Sequence, residues 1–290
     1  MAAVKPDRAA QITGNIVHFE HVNVCVPDQR LATLFWIVGM GFTRDPYLMV
    51  GIDNMWVNIG QQQYHLPTRG EQVLRGTGGI VVPDLEALRT RLEEVKPQLE
   101  GTQFKWENED KHVAVTCPWG NKLRCHAPGP DFGEMTLGMP YVEFNVPPGT
   151  AGGIARFYDE IMGAPSTVVE HRGMPTARVR LGNQVQCFLF RETNDPIPAY
   201  DGHHVALYIS DFHTPYKKLL ERGLLSMENG PYEWRFINIV DLDTNKVLFE
   251  IEHEVRSMTN PLYMRPLVNR NAAQKQRTYQ RGKDAFYPGV

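Results

Sequence analysis

The stretch Gly202–Asp211, GHHVALYISD, sets two histidines at the head of an alternating strand, where imidazoles could hold a metal. If Val205, Leu207 and Ile209 pack inward, then His204, Ala206, Tyr208 and Ser210 share the other face. His203 falls on the inward parity and reads as structural. In KVLFEIEHE the same alternation sends Val247, Phe249 and Ile251 inward and leaves Leu248, Glu250 and Glu252 opposite. In QVQCFLF, Val185, Cys187 and Leu189 are expected inward, with Gln186 and Phe188 on the other face. In YVEFNV, Val142, Phe144 and Val146 go in, leaving Tyr141, Glu143 and Asn145. One concave surface is thus expected to collect Tyr141 or Glu143, Gln186, His204 and Glu250. A donor set of one His, two Glu and one Gln is hard and oxygen-rich, suited to Mn²⁺, Mg²⁺, Co²⁺, Ni²⁺ or Zn²⁺.

A second set lies earlier in the chain. His21, Asn23 and Cys25 share one strand face, Thr77 and Val81 another, and Arg124 and His126 a third, in KLRCHAP. The run NIGQQQYHLP adds His65, or Tyr64 if the register slips by one residue. His21, His65 and His126 would make an all-imidazole site for Zn²⁺ or a similar ion. Arg124 suits a carboxylate or phosphate on a ligand.

The elements that must position these residues repeat four times. HVNVCVPD, TGGIVVPD, YVEFNVPP and HVALYISD are alternating strands ending in Pro or Asp, at steps of 56, 64 and 63 residues. Each precedes a helical pattern (QRLATLFWIVGMGF, LEALRTRLEEV, GTAGGIARFYDEIMG, FHTPYKKLLERGL) and then about three further strands. The unit is strand, helix, three strands, an α+β arrangement of four βαβββ modules. The Pro- and Gly-rich stretch HAPGPDFGEMTLGMP at the midpoint suggests two domains of two modules each, 15–132 and 133–254. They are flanked by an extension, 1–14, and a basic tail, 255–290.

A tandem βαβββ unit with His heading its first strand, and with WGNKLRCH or NKVLFEIE at its end, resembles the vicinal oxygen chelate superfamily over residues 15–254. That group includes glyoxalase I, methylmalonyl-CoA epimerase, extradiol dioxygenases and bleomycin resistance proteins. The resemblance implies two cupped mixed sheets with helices on their outer faces, and a divalent metal (Mn, Fe, Zn, Co, Ni or Mg) held in a cup. It assigns His204, Glu250 and Gln186 as ligands, Glu143 and Tyr141 as catalytic residues, and Tyr208 and Arg124 as substrate contacts. His21, His65 and His126 form the alternative ligand set. Tyr141 stands where the family usually has histidine, which disfavours a 2-His-1-carboxylate iron. The implied activity is isomerase, lyase or dioxygenase chemistry on a small oxygenated molecule. An extradiol dioxygenase and a metal-free ligand-binding or resistance protein are the alternatives, and a homodimer is implied because members often pair.

Thirty Lys and Arg against 33 Asp and Glu give a net charge of -3, with no general pull toward nucleic acid or anionic membrane. A small molecule is the expected partner. The first residues, MAAVKPDRAAQITGN, lack the apolar run of a signal or membrane span, so a cytoplasmic location is expected. Cys25, Cys117, Cys125 and Cys187 are scattered and read as reduced thiols. No P-loop, GxSxG or HExxH occurs. The tail carries Arg256, Arg265, Arg270, Lys275, Arg277, Arg281 and Lys283 against Asp284 alone, and reads as an arm on an acidic surface.

Overall fold

The repeated Asp is a helix cap. In the computed structural model, which describes residues 12–46, 48, 53–182 and 185–267, Asp28 Oδ1 accepts from the amides of Arg30 and Leu31 at 2.7 and 3.1 Å. Asp84 Oδ1 accepts likewise from Glu86 and Ala87, and Asp211 Oδ1 from His213 and Thr214. Each satisfies amides left over at a helix start. The third repeat has Pro at this place, and there Glu192 Oε1 reaches across to accept from Ala151 N at 2.9 Å. The helices so started are α1 (Gln29–Thr33, continuing as a π-helical turn over Leu34–Gly39), α2 (Leu85–Val95), α3 (Ala151–Glu160) and α4 (His213–Glu221).

Sixteen strands accompany them among the described residues. The first module supplies β1 (Ile16–Asn23), β2 (Thr43–Arg44), β3 (Asn54–Ile59) and β4 (Gln62–Pro67), and the second β5 (Gly76–Val81), β6 (Lys105–Asn108), β7 (Val113–Thr116) and β8 (Lys122–His126). The third supplies β9 (Gly138–Val146), β10 (Ser166–His171), β11 (Met174–Arg180) and β12 (Cys187–Glu192), and the fourth β13 (His204–Ile209), β14 (Leu225–Glu228), β15 (Glu233–Val240) and β16 (Val247–Ser257). They form two eight-stranded mixed sheets, so the α+β class and the two-cup architecture hold.

The composition of each sheet differs from the expectation. The orders are β14-β15-β16-β13-β1-β4-β3-β2 and β10-β11-β12-β9-β5-β8-β7-β6. Modules 1 and 4 therefore share the first sheet, modules 2 and 3 the second. The seams are antiparallel: β1 on β13, with His21 opposite Ala206 and Asn23 opposite His204, and β5 on β9, with Gly79 opposite Tyr141. Modules 1 and 2 do not build one cup, nor do modules 3 and 4, and Gln186 and His204 lie on different sheets.

The inward faces of the two sheets meet over one apolar core. Phe19 of the first sheet packs edge-on against Phe188 of the second at 5.3 Å, and Phe144 lies 6.0 Å from Phe249. Helix α3 touches strands of both sheets, so it packs between their inward faces, on the side away from each cup. Two turns fix the relative placement. Gly60 (φ 66°) and Gly182 (φ 68°) need a left-handed backbone, and a Cβ on them would meet the carbonyls of Leu137 and Val17 at 2.2 and 2.5 Å.

Candidate functional site

The first sheet brings three imidazoles and a carboxylate together. On β1, Ile16, Phe19 and Val22 fill the core, which turns His18, His21 and Asn23 to the concave face. On β4, Tyr64 is buried against Trp36, with ring centroids 4.5 Å apart. Tyr64 thus belongs to the core and His65 to the cup, which settles the register left open by the sequence. On β13 the expected parity holds, with Val205, Leu207 and Ile209 in the core. On β16, Phe249, Ile251 and Val255 point inward, leaving Glu250, Glu252, Glu254 and Arg256 outward.

One donor atom from each of His21, His65 and His204 lies within 4.8 Å of the others. His21 Nε2 and His204 Nε2 are 3.4 Å apart, and His204 Nε2 is 3.2 Å from Glu254 Oε2. Glu252 Oε2 lies 3.4 Å from His204 Nδ1, while Glu20 Oε2 is 3.0 Å from His21 Nδ1. A carboxylate on the far nitrogen of an imidazole fixes its orientation and leaves Nε2 for a ligand. His65 stacks on Trp56 at 3.9 Å and 15°, and neither of its buried ring nitrogens has a hydrogen-bond partner. An orphaned imidazole facing two others suits a metal and is otherwise a cost.

The electrostatics favour a cation. Burial, then the neighbouring His21 and His204, holds His65 well below the ordinary imidazole range. Burial also lowers His21, against the opposing pull of Glu20 and Glu254. Both are neutral at pH 7 and able to ligate. Burial works against ionising Glu254, but Arg256 and the hydrogen bond from His204 outweigh it and keep the carboxyl well below its usual range. Glu20 is brought down to about 2 against burial, by Arg256 and His21. The Arg256 guanidinium pairs with both Glu20 and Glu254, and the Tyr208 hydroxyl donates to Glu20 at 3.0 Å.

A cavity of about 300 Å³ opens beside the cluster, lined by His18, Glu20, Gln63 and Arg265 among others. The chain after β16 crosses its mouth. Arg265 pairs there with Asp45 at 2.5 Å and donates to Gln63 at 2.9 Å, while Tyr263 lies 5.0 Å from Tyr208. Arg256 and Arg265, expected in a surface arm, are buried parts of this cup. The other basic residues of the tail lie outside the described residues.

The remaining sequence-predicted residues sit elsewhere. Glu250 is exposed, and its carbonyl oxygen, not its carboxylate, accepts from Arg75. Glu254, four residues on, occupies the place beside His204. Gln186 precedes β12 and donates to Met139 O at 2.9 Å. On β12 the expected parity is inverted. Phe188 and Phe190 enter the core, while Cys187 and Leu189 sit beside Tyr141 and Glu143 on the concave face of the second sheet.

That face also carries Arg124 and His126. The Tyr141 hydroxyl and His126 Nε2 are 2.9 Å apart. Arg124 holds Glu143 through both nitrogens, at 3.1 and 3.4 Å, joined by His171 at 3.1 Å and Arg172 at 3.4 Å. His126 therefore does not join His21 and His65. Glu254, Glu20, Trp56 and His18 were missed by sequence reasoning. The period-two run from Glu250 to Arg256 was the available signal for the first.

No protein-family model matches the sequence, and no curated protein matches it. Solved structures do resemble the fold. Glyoxalase I from Zea mays is 12% identical, with 84% of this chain and 92% of that chain covered and a TM-score of 0.56. A Bacillus subtilis protein provisionally described as a dioxygenase is 14% identical over 84% and 86% of the two chains, also at 0.56. At this identity the likeness establishes the fold, which this chain shares with these glyoxalase and dioxygenase structures.

Proposed function

We propose that the first cup holds one divalent metal on His21, His65, His204 and Glu254, and that the protein is a metal-dependent enzyme acting on a small oxygenated molecule. The observation carrying this reading is the orphaned His65 imidazole aimed at two further imidazoles and a buried, ionised carboxylate. Three imidazoles and one carboxylate suit Zn²⁺, Ni²⁺, Co²⁺, Fe²⁺ or Mn²⁺ better than Mg²⁺. When bound, such an ion supplies Lewis-acid stabilisation of an oxyanion on a chelating substrate. The chain's own groups do the rest. Glu20 and Glu252 orient His21 and His204. His18, lowered by burial, offers the cavity a neutral imidazole as general base. Arg265 and the chain crossing the mouth limit access of water.

Isomerase or lyase chemistry fits a His-rich site with a neutral base beside it. A second reading, oxygenation, is favoured by the His21, His204 and Glu254 subset, which is a 2-His-1-carboxylate arrangement. The test is metal content by plasma mass spectrometry on protein purified without chelator. Near one ion per chain is expected, lost in His65→Ala and His204→Ala and kept in Glu250→Gln. Oxygen consumption with a catechol then separates oxygenation from isomerisation. A wild-type protein that neither carries nor takes up metal would overturn the proposal and leave a metal-free binding protein.

A further inference from the structure

The two cups are balanced differently: the first pairs Arg235 and Arg256 with its carboxylates, whereas the second carries cations in excess. Around the imidazoles of the first stand Glu20, Glu252 and Glu254. On the five central strands of the second sheet, ladder partners place Lys122 and Arg124 of β8, Arg178 and Arg180 of β11, and Arg191 of β12 on the concave face with Glu143. Glu143 is the one carboxylate on that face of these strands among the described residues, and its oxygens are taken up by Arg124, His171 and Arg172.

The excess cations are not compensated. Among the described residues, Arg178, Arg191 and Lys122 pair with no carboxylate. Arg178 and Arg191 are only partly exposed, and the buried Nε of Arg191 has no acceptor. They are diagonal neighbours on one antiparallel ladder, since Arg178 faces Leu189 and Arg191 lies two residues further along β12. That puts their Cα atoms about 7–8 Å apart. Two half-buried guanidiniums at this spacing repel one another, and an anion between them relieves the repulsion and fills the donors. The wall opposite them is made by Lys122 and Arg124, and the floor by Tyr141, whose ring lies across Gly79. The fixed positive charge is also felt at His126, which burial and then His112 and Arg124 push down to about 4.

We infer that the second cup is a binding site for a small dianion, a molecule carrying two phosphate or carboxylate groups, seated on Arg178 and Arg191. The site is independent of the metal cup and needs no metal. It gives the pair of sheets a division of labour by charge, cation in one cup and anion in the other.

Calorimetric titration of the full chain with inorganic pyrophosphate and with succinate tests it. At low salt the wild type binds at least one of the two, with affinity falling as NaCl is raised. Arg178→Gln with Arg191→Gln weakens binding at least tenfold, with near-ultraviolet dichroism and metal content unchanged. His204→Ala leaves binding intact. Should the double variant not fold, each single substitution carries the same expectation of weaker binding. The inference is overturned if neither probe binds, if the arginine variants bind as tightly as wild type, or if His204→Ala alone abolishes binding, which would place the anion on the metal. The first two of these outcomes do not bear on whether the first cup holds a metal.

Discussion

Glu143 provides a quantitative test of the second cup. Its side chain is 2% exposed, and its carboxyl is brought from 4.5 down to about 2. Burial opposes this, but the hydrogen bond from His171 and the charges of Arg124 and Arg172 prevail. A carboxyl depressed on folding adds stability that is present above 4.5 and is lost as pH falls toward 2. At about 1.4 kcal/mol per pH unit the difference amounts to about 3 kcal/mol at neutral pH. Arg172 is 51% exposed and its share is screened, so about 2 kcal/mol is expected. Glu143→Gln keeps the shape and removes the charge. Urea unfolding at pH 7 should find the variant less stable by about 2 kcal/mol, and at pH 3 the gap should close to below about 1 kcal/mol. A gap that is the same at both pH values, or a variant as stable as wild type at pH 7, would show that the surrounding cations do not hold this carboxylate ionised.

Further substitutions probe the metal cup and the packing behind it. Glu254→Gln should lower metal affinity sharply, whereas Glu250→Gln leaves it unchanged, both read by competition with a chromogenic chelator. Glu20→Gln, which removes the carboxylate behind His21, should weaken metal binding about 10- to 100-fold without abolishing it. Tyr158→Phe leaves His253 Nε2, buried at 2.5 Å from the Tyr158 hydroxyl, without its partner and should cost about 1–2 kcal/mol in denaturant unfolding. Gly76→Ala sets a Cβ 1.8 Å from the Glu143 carbonyl oxygen and should destabilise by more than about 2 kcal/mol, because backbone must move at the seam of the second sheet.

The sequence carries the repeat and the strand faces wherever polar and apolar residues alternate. His204 was placed correctly because Val205, Leu207 and Ile209 leave it nowhere else to point. Alternation fails on Cys187–Phe190, where both faces are apolar, and the parity of β12 came out inverted. It also cannot choose among Glu250, Glu252 and Glu254, which share a face. The ladder between β13 and β16 sets Glu252 opposite His204 and Glu254 opposite Ala206, and it is Glu254 that reaches His204 Nε2 while Glu252 lies at Nδ1. The least legible feature was which modules pair. All four present the same pattern, and the period of a strand says nothing about its neighbour across a seam. His21, His65 and His204 were each named as ligands, but in separate sets, because module 1 was paired with module 2.

The β1–β13 seam sets a timetable for the nascent chain. His21 and His204 are separated by 183 residues, which a ribosome takes about 10–40 s to make. The second sheet joins neighbouring modules and can close while module 4 is still unmade. The first sheet must hold β1 and β4 waiting until β13 and β16 emerge. The donor set is therefore among the last parts of the molecule to assemble, and a metal held as proposed would be captured only after synthesis is nearly over.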